Sequence, residues 1–265
     1  MESTGWNTPE RAMIVRQFLR KRARIAKGAW NTYIARRGIV GDNRGRWDRL
    51  LYAQGVSDRL TIAPEKSDLA ALYHYRSVEL QILRYLLASS MRTEGCAVLD
   101  LGAGACHWID FYRALGSSRT VAVDVARSCV EHLRARYTDR ADVTILQGSV
   151  AETLAALDER FDIINAIGVM FHVVDDREWT RTIEQAGRLL ERGGVLITGG
   201  HFGQLDGINL QVDRDGLVNK RLRSKRRWER VLRAAGFTEV TVYRNPAYLW
   251  VAELLPENHL LVATK

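Results

Sequence analysis

Apolar residues recur along this chain in two rhythms, and the change-over falls near Gly95. Upstream the spacing is helical. Val15, Phe18, Ile25, Ala29 and Tyr33 keep close to a 3.6-residue period within residues 9–34, interrupted at Arg22. Thr8, Pro9 and Glu10 read as the start of that helix: a cap, a proline in the first turn and an acid at the positive end of the dipole. Trp47, Leu50, Leu51 and Tyr52 predict a short packed helix before Gly55. Leu69, Leu72, Tyr73, Val78, Ile82, Tyr85 and Leu86 supply the apolar side of a longer one over 66–89. Downstream, short β-rich runs at 97–101, 120–123, 143–147, 161–166, 195–198, 239–243 and 259–263 take over. Helical stretches at 106–115, 128–137 and 179–190 separate the earlier runs, so strand, crossover and strand repeat. That order predicts a mostly parallel sheet covered on both faces. After Gly236 no strong crossover helix is visible, and the last two runs can return as an antiparallel pair.

Composition narrows this picture modestly. The 265 residues are 46% hydrophobic and 26% charged, enough to bury one sizeable core with an appendage. No window approaches the roughly 18 apolar residues of a membrane span. Arg16, Arg20, Lys21, Arg22 and Arg24 break up any apolar leader, and Cys96, Cys106 and Cys129 form neither a metal-ligand spacing nor a disulfide framework. A reducing, cytoplasmic setting is the expectation. Charge is uneven: residues 1–60 carry 13 Lys/Arg against 5 Asp/Glu, and residues 214–233 carry 9 against 2. Such patches can recruit an anionic partner or be solvated helix faces, and neither has the interleaved aromatics that stack on bases.

The chemistry concentrates at VLDLGAGACHW, residues 98–108. Gly102 and Gly104 let backbone approach a ligand closely, and the helix that follows turns unpaired amides toward the same space. TVAVD ends at Asp124, 22 residues after Gly102, where a carboxylate can accept both hydroxyls of a ribose. The loop at Gln147-Gly148-Ser149-Val150 can shape an adenine pocket. A dinucleotide turn expects a third glycine where His107 stands, and no GxxxxGK[ST] run is present. A sulfonium nucleoside fits the remaining features.

These stretches resemble the class I S-adenosylmethionine-dependent methyltransferases, and the likeness covers roughly residues 80–265. VLDLGAGACHW resembles their glycine-rich motif, with Cys106 where a third glycine is frequent. AVDVARSCV, LQGSV, FDIINAIGVMFHVVDD and LLERGGVLIT resemble the second-strand motif, the adenine loop, the fourth strand with its following loop, and the turn into the fifth strand. The resemblance implies a Rossmann-like α/β fold. It has a seven-stranded, mostly parallel sheet with an antiparallel last strand, flanked by helices. Residues 1–79 would form a basic helical N-terminal cap or acceptor-recognition region, and 80–265 the methyltransferase domain. The implied donor site comprises Asp100, Gly102, Ala103 and Gly104, then Asp124 and Val125, Ser149 and Val150, and Asn165 and Ala166, the last two through backbone carbonyls. Trp47, Tyr52, His74, Tyr75 and Arg76 are candidates for the cover over it.

Methyl transfer to a hydroxyl calls for placement, exclusion of water and often a base. His172, just past the fourth strand, and His201, past the fifth, sit at strand exits and are the candidate bases. Each has a bland alternative: a pocket wall for His172, a turn stabiliser for His201. Asp175 and Asp176 suit helix capping as well as they suit a metal, and no metal is expected. NAIG at 165–168 stands where amino-base methyltransferases carry Asp/Asn-Pro-Pro-Tyr/Phe, so base methylation loses ground. The expectation is O-methylation of a small or medium polar metabolite, acidic or glycosylated, by a monomer or homodimer. RNA or protein methylation over the basic surface, a nicotinamide oxidoreductase and a non-catalytic nucleoside-binding module are the alternatives.

Overall fold

Strands β1 (Ala97–Leu101), β2 (Arg119–Asp124), β3 (Val143–Gln147), β4 (Phe161–Ile167) and β5 (Leu190–Gly200) lie parallel in one sheet. The structure, a computed structural model, describes residues 43–62, 64, 67–200, 202–203, 209–212, 218–243 and 259–265, with single positions between 19 and 30. The helix expected over 9–34 and the candidate base His201 lie outside these described residues. Two more strands, β8 (Glu239–Tyr243) and β9 (His259–Thr264), complete the sheet in the order β3-β2-β1-β4-β5-β9-β8. β9 is antiparallel to both neighbours, so β8 again runs with β5. Between β5 and β8 in sequence, β6 (Asn209–Val212) and β7 (Val218–Leu222) pair as a separate antiparallel hairpin that the residue pattern does not announce.

Helices cover both faces. α1 (Asn43–Gln54), α2 (Asp58–Ile62) and α3 (Asp68–Ser89) precede the sheet; α4 (His107–Ala114), α5 (Arg127–Arg136), α6 (Val150–Ala156), α7 (Asp176–Leu189) and α8 (Lys225–Ala234) connect its strands. Their starts are written in the sequence. Ser67 accepts from Ala70 N–H, Asp175 from the N–H groups of Arg177 and Glu178, and Ser224 from Arg227 N–H. α3 runs unbroken through residues 79 and 80, as the single helix expected over 66–89 does.

Strand alternation sorts the core into two layers. Leu99, Leu101, Val123 and Ile164 pack with Trp179, Ile183 and Trp228 on one face. Val98, Ile163, Ile197 and Val262 pack with Tyr75, Ile82 and Tyr112 on the other. Trp179 is fully buried, and truncating such a residue costs about 3–5 kcal/mol. Between its neighbours β2 and β4, β1 marks where the strand order reverses. Open α/β sheets place ligands beyond the carboxyl ends of strands at such a point.

Candidate functional site

A cleft opens there. It spans about 620 Å³, its solvent-facing mouth included. The strand exits supply Gly102 and Gly104 after β1, Asp124 and Val125 at β2, and Gly168 and Val169 after β4. Trp47 and Leu51 of α1 and Thr61 of α2 close it from above.

The glycine turn is held against its neighbours by backbone. Gly102 and Ala103 N–H groups both donate to Val123 C=O, at 2.8 and 3.1 Å. Gly102 (φ 73°) and Gly104 (φ 58°) take left-handed conformations. A Cβ on Gly102 would stand 2.9 Å from Val169, and one on Gly104 3.0 Å from Thr61. Cys106, in the third-glycine place, has φ 118°, a conformation a side chain disfavours.

Asp124 organises the second strand exit. Its Oδ2 accepts from Gly104 N–H at 2.9 Å and its Oδ1 from Ala126 N–H at 2.8 Å, so one carboxylate ties the turn to the start of α5. Burial raises its pKa, and these backbone donors pull it back. Asp100, fully buried, accepts from Asn165 Nδ2 at 2.7 Å, and Tyr112 Oη donates to Asn165 Oδ1 at 3.2 Å. Its Oδ2 has no partner among the described residues. Loss of hydration carries the Asp100 carboxyl up to about 7, against the Asn165 hydrogen bond.

The remaining expected donor-site residues fall into two groups. Val125 and Val150 line the cleft. Ser149 caps α6, its hydroxyl accepting from Glu152 N–H at 3.3 Å and donating to Glu152 Oε2 at 2.8 Å. Asn165 and Ala166 are fully buried beneath the cleft floor, and Ala166 C=O accepts from Thr198 Oγ1. Gly168 and Val169, not these two, form the wall at that exit.

His172 reaches the cleft from a short 3₁₀ turn, Met170–His172. Its Nδ1–H donates to Asn219 C=O at 3.0 Å, which leaves the basic lone pair on Nε2. Desolvation, then Lys220, depresses this imidazole from 6.5 to about 3, so it is neutral at working pH. Trp47 stands edge-on to it, ring centroids 5.7 Å apart. Asp175 is spent as the α7 cap, and Asp176 pairs with Arg221, Arg223 and Arg227.

Of the expected cover, Trp47 lines the cleft, whereas Tyr52 points outward to Glu131. Arg76 pairs with Glu79. Tyr75 stacks on His107, centroids 3.7 Å apart, and His107 meets Glu79 Oε1 at 2.8 Å and Asp58 Oδ2 at 3.4 Å. His107 thus fastens α2 and α3 to the helix that begins at the glycine turn. Sequence reasoning treated this histidine only as a missing glycine.

The pocket fits a nucleoside with a cationic amino-acid end. It offers turn backbone too close for side chains, a buried carboxylate at the second strand exit, apolar walls from Val125 and Val150, and an unpartnered carboxylate oxygen below the turn.

Comparisons with known proteins agree with this geometry. Residues 98–194 match the family model described as a methyltransferase domain. No curated protein sequence matches the chain. Among solved structures it is similar to the 1,6-didemethyltoxoflavin-N1-methyltransferase of Burkholderia thailandensis, at 22% identity and TM-score 0.54, over 72% of this chain and 76% of that one. It is also similar to the magnesium protoporphyrin IX methyltransferase of Synechocystis PCC 6803, at 14% identity and TM-score 0.55, over 89% and 97%. The N-methyltransferase NodS of Bradyrhizobium japonicum WM9 shares 17% identity and a TM-score of 0.54, over 84% and 97%. At these identities the structural likeness is one of fold. The sheet order and these likenesses give the chain the class I S-adenosylmethionine-dependent methyltransferase fold, within which residues 98–194 match the methyltransferase-domain model.

Proposed function

We propose that the protein methylates a small polar molecule, with S-adenosylmethionine as donor and a hydroxyl oxygen as acceptor. The observation that carries this reading is the pairing of the Gly102–Gly104 turn with Asp124 across one cleft, 2.9 Å apart. Bound there, the donor supplies an electrophilic methyl carbon on a sulfonium. Asp124 would hold the ribose hydroxyls, the close-approach backbone of the glycine turn, with the buried Asp100 carboxylate beneath it, would accommodate the amino-acid end, and Val125 and Val150 would face the adenine.

His172 is the residue for the acceptor. Neutral, with its lone pair on Nε2, it accepts a hydrogen bond from an acceptor O–H and so aims the oxygen. A hydroxyl becomes strongly acidic only as its oxygen bonds to carbon, so a weakly basic imidazole suffices to take the proton late in the step. Trp47 and Leu51 exclude water from above. An amine nitrogen is the second reading, since two of the similar structures are N-methyltransferases. His201 remains a proposed second candidate base, and a monomer or homodimer is compatible with this chemistry.

Calorimetry with S-adenosylhomocysteine tests the donor site. Micromolar-range binding by the wild-type chain, weakened at least tenfold by Asp124→Ala, is the expected result. Equal binding by both overturns the assignment. Turnover on matched hydroxyl and amine acceptor panels, read by methylated product, decides the acceptor atom.

A further inference from the structure

A second, narrower hollow, about 250 Å³ with its opening to solvent included, lies on the far side of the Met170–His172 turn. Arg221 and Arg223 from the end of β7, Trp179 of α7 and Phe171 of the turn contribute to its wall. The partition from the main cleft is thin. Gly168 lines one space and Gly199 the other, and Gly168 N–H donates to Gly199 C=O. Phe171 and His172, adjacent in sequence, face one cavity each.

Among the described residues, charge around this second cavity does not balance. Three guanidinium groups, those of Arg221, Arg223 and Arg227, converge on the single carboxylate of Asp176 at 2.6, 3.0 and 3.0 Å. The Arg223 side chain is only 1% exposed. Its Nε donates to Asp176 Oδ1 and its Nη2 to the carbonyls of Val174 and Asp175, yet its Nη1 has no acceptor among the described residues. Arg221 Nε and the indole N–H of fully buried Trp179 are likewise without an acceptor. Three orphaned donors of one polarity in one buried wall each carry a desolvation cost that only an acceptor relieves. Buried cation in excess of anion compounds that cost. Lys220 over Phe171 and Lys225 over Phe202 add positive charge at the rim.

We propose that Arg221, Arg223 and Trp179 form an oxyanion subsite that holds a carboxylate or phosphate group of the acceptor while its reactive atom lies beside His172. The acceptor class is therefore an anionic small molecule. The guanidinium of Arg223, stacked 4.5 Å from the Trp179 ring, is fixed with its remaining donor, Nη1, available for one oxygen. This inference rests on the reading of the main cleft as the methyl-transfer site.

Titration of the full chain with inorganic phosphate and, separately, with acetate, followed by tryptophan fluorescence and thermal shift, tests it. Saturable binding at millimolar concentration, weakened at least tenfold in Arg221→Gln and in Arg223→Lys, is the expected result. Preference for acetate assigns a carboxylate, and preference for phosphate a phosphoryl group. No saturable response in the wild-type chain, or equal responses in wild type and variants, overturns the subsite. Where Arg223→Lys fails to fold by circular dichroism, Arg221→Gln decides. S-adenosylhomocysteine binding measured on the same samples separates the two readings. Donor binding without oxyanion binding sinks the subsite alone, and absence of donor binding sinks the function it rests on.

Discussion

Cys106 holds a φ of 118° in a turn where its neighbours in conformation are glycines. Such a backbone costs a side chain roughly 1–3 kcal/mol. Cys106→Gly is expected to raise stability by about 1 kcal/mol in chemical denaturation while leaving donor affinity within threefold, and a loss of stability would show that the thiol packs better than its backbone suggests. Asp100 presents the opposite bargain. Its carboxyl, carried up to about 7, is ionised above neutrality with one oxygen unpartnered. Asp100→Asn is expected to stabilise the ligand-free chain at pH 8 by roughly 2 kcal/mol and to weaken S-adenosylhomocysteine at least tenfold. A variant that gains stability without losing affinity removes Asp100 from the donor site. For His172, a value of about 3 means that its protonation leaves turnover flat between pH 5 and 8. His172→Asn should lower kcat about a hundredfold with donor affinity unchanged. An acid limb near 6.5 that disappears in this variant would contradict the buried, neutral imidazole.

Among elements, the helices over the cleft depend on one clamp. His107 begins α4 and lies between Glu79 of α3 and Asp58 of α2, stacked on Tyr75. His107→Ala is expected to cost about 1–2 kcal/mol and to speed amide hydrogen exchange in α2 and the first half of α3, with β1 to β4 protected as before. Uniform exchange changes would mean that the contact is not a clamp. This clamp was not legible in the chain, because its members are 28 and 49 residues apart and only tertiary packing joins them. The central strands were legible, since strands buried on both faces read as unbroken apolar runs. Gly102, Gly104 and Asp124 were legible for a related reason: the glycines and the acid mark successive strand exits at a spacing the crossover sets. The β6–β7 hairpin, with polar Asn219, Lys220 and Arg221 in its second strand, offers no such alternation. α2 and α6, at 5 and 7 residues, are too short to show a helical period. For Ser149 the structure shows a helix cap, and its place in the donor loop stays a proposal, because one serine suits a nucleoside loop and a helix cap equally well.

For the molecule as a whole, two buried groups pull its pH dependence in opposite directions. Asp100 has its folded value raised from 3.8 to about 7, so it binds more protons folded than unfolded and adds stability as pH falls from 7 toward 4. His172 has its folded value lowered from 6.5 to about 3, so acid charges the unfolded chain first and stability drains between pH 6.5 and 3. Each is at most ~5 kcal/mol, and over the shared window they nearly cancel. Asp100→Asn removes one side of that balance, so its melting temperature is expected to fall more steeply than that of the wild type from pH 6.5 to 4. Parallel slopes in the two proteins would show that other groups set the acid response. No helix among the described residues is long and apolar enough to cross a membrane.

The sheet also imposes a schedule on folding. Among the described residues, β8 pairs with it only through β9, which enters between β5 and β8 although it follows both in the chain. A polypeptide emerging from the ribosome can assemble β1 to β5 early, yet β8 must wait, edge bare, until residues 259–264 arrive. Shortening the chain before residue 259 therefore strips two strands at once, and the stalled intermediate exposes an unpaired flank open to self-association.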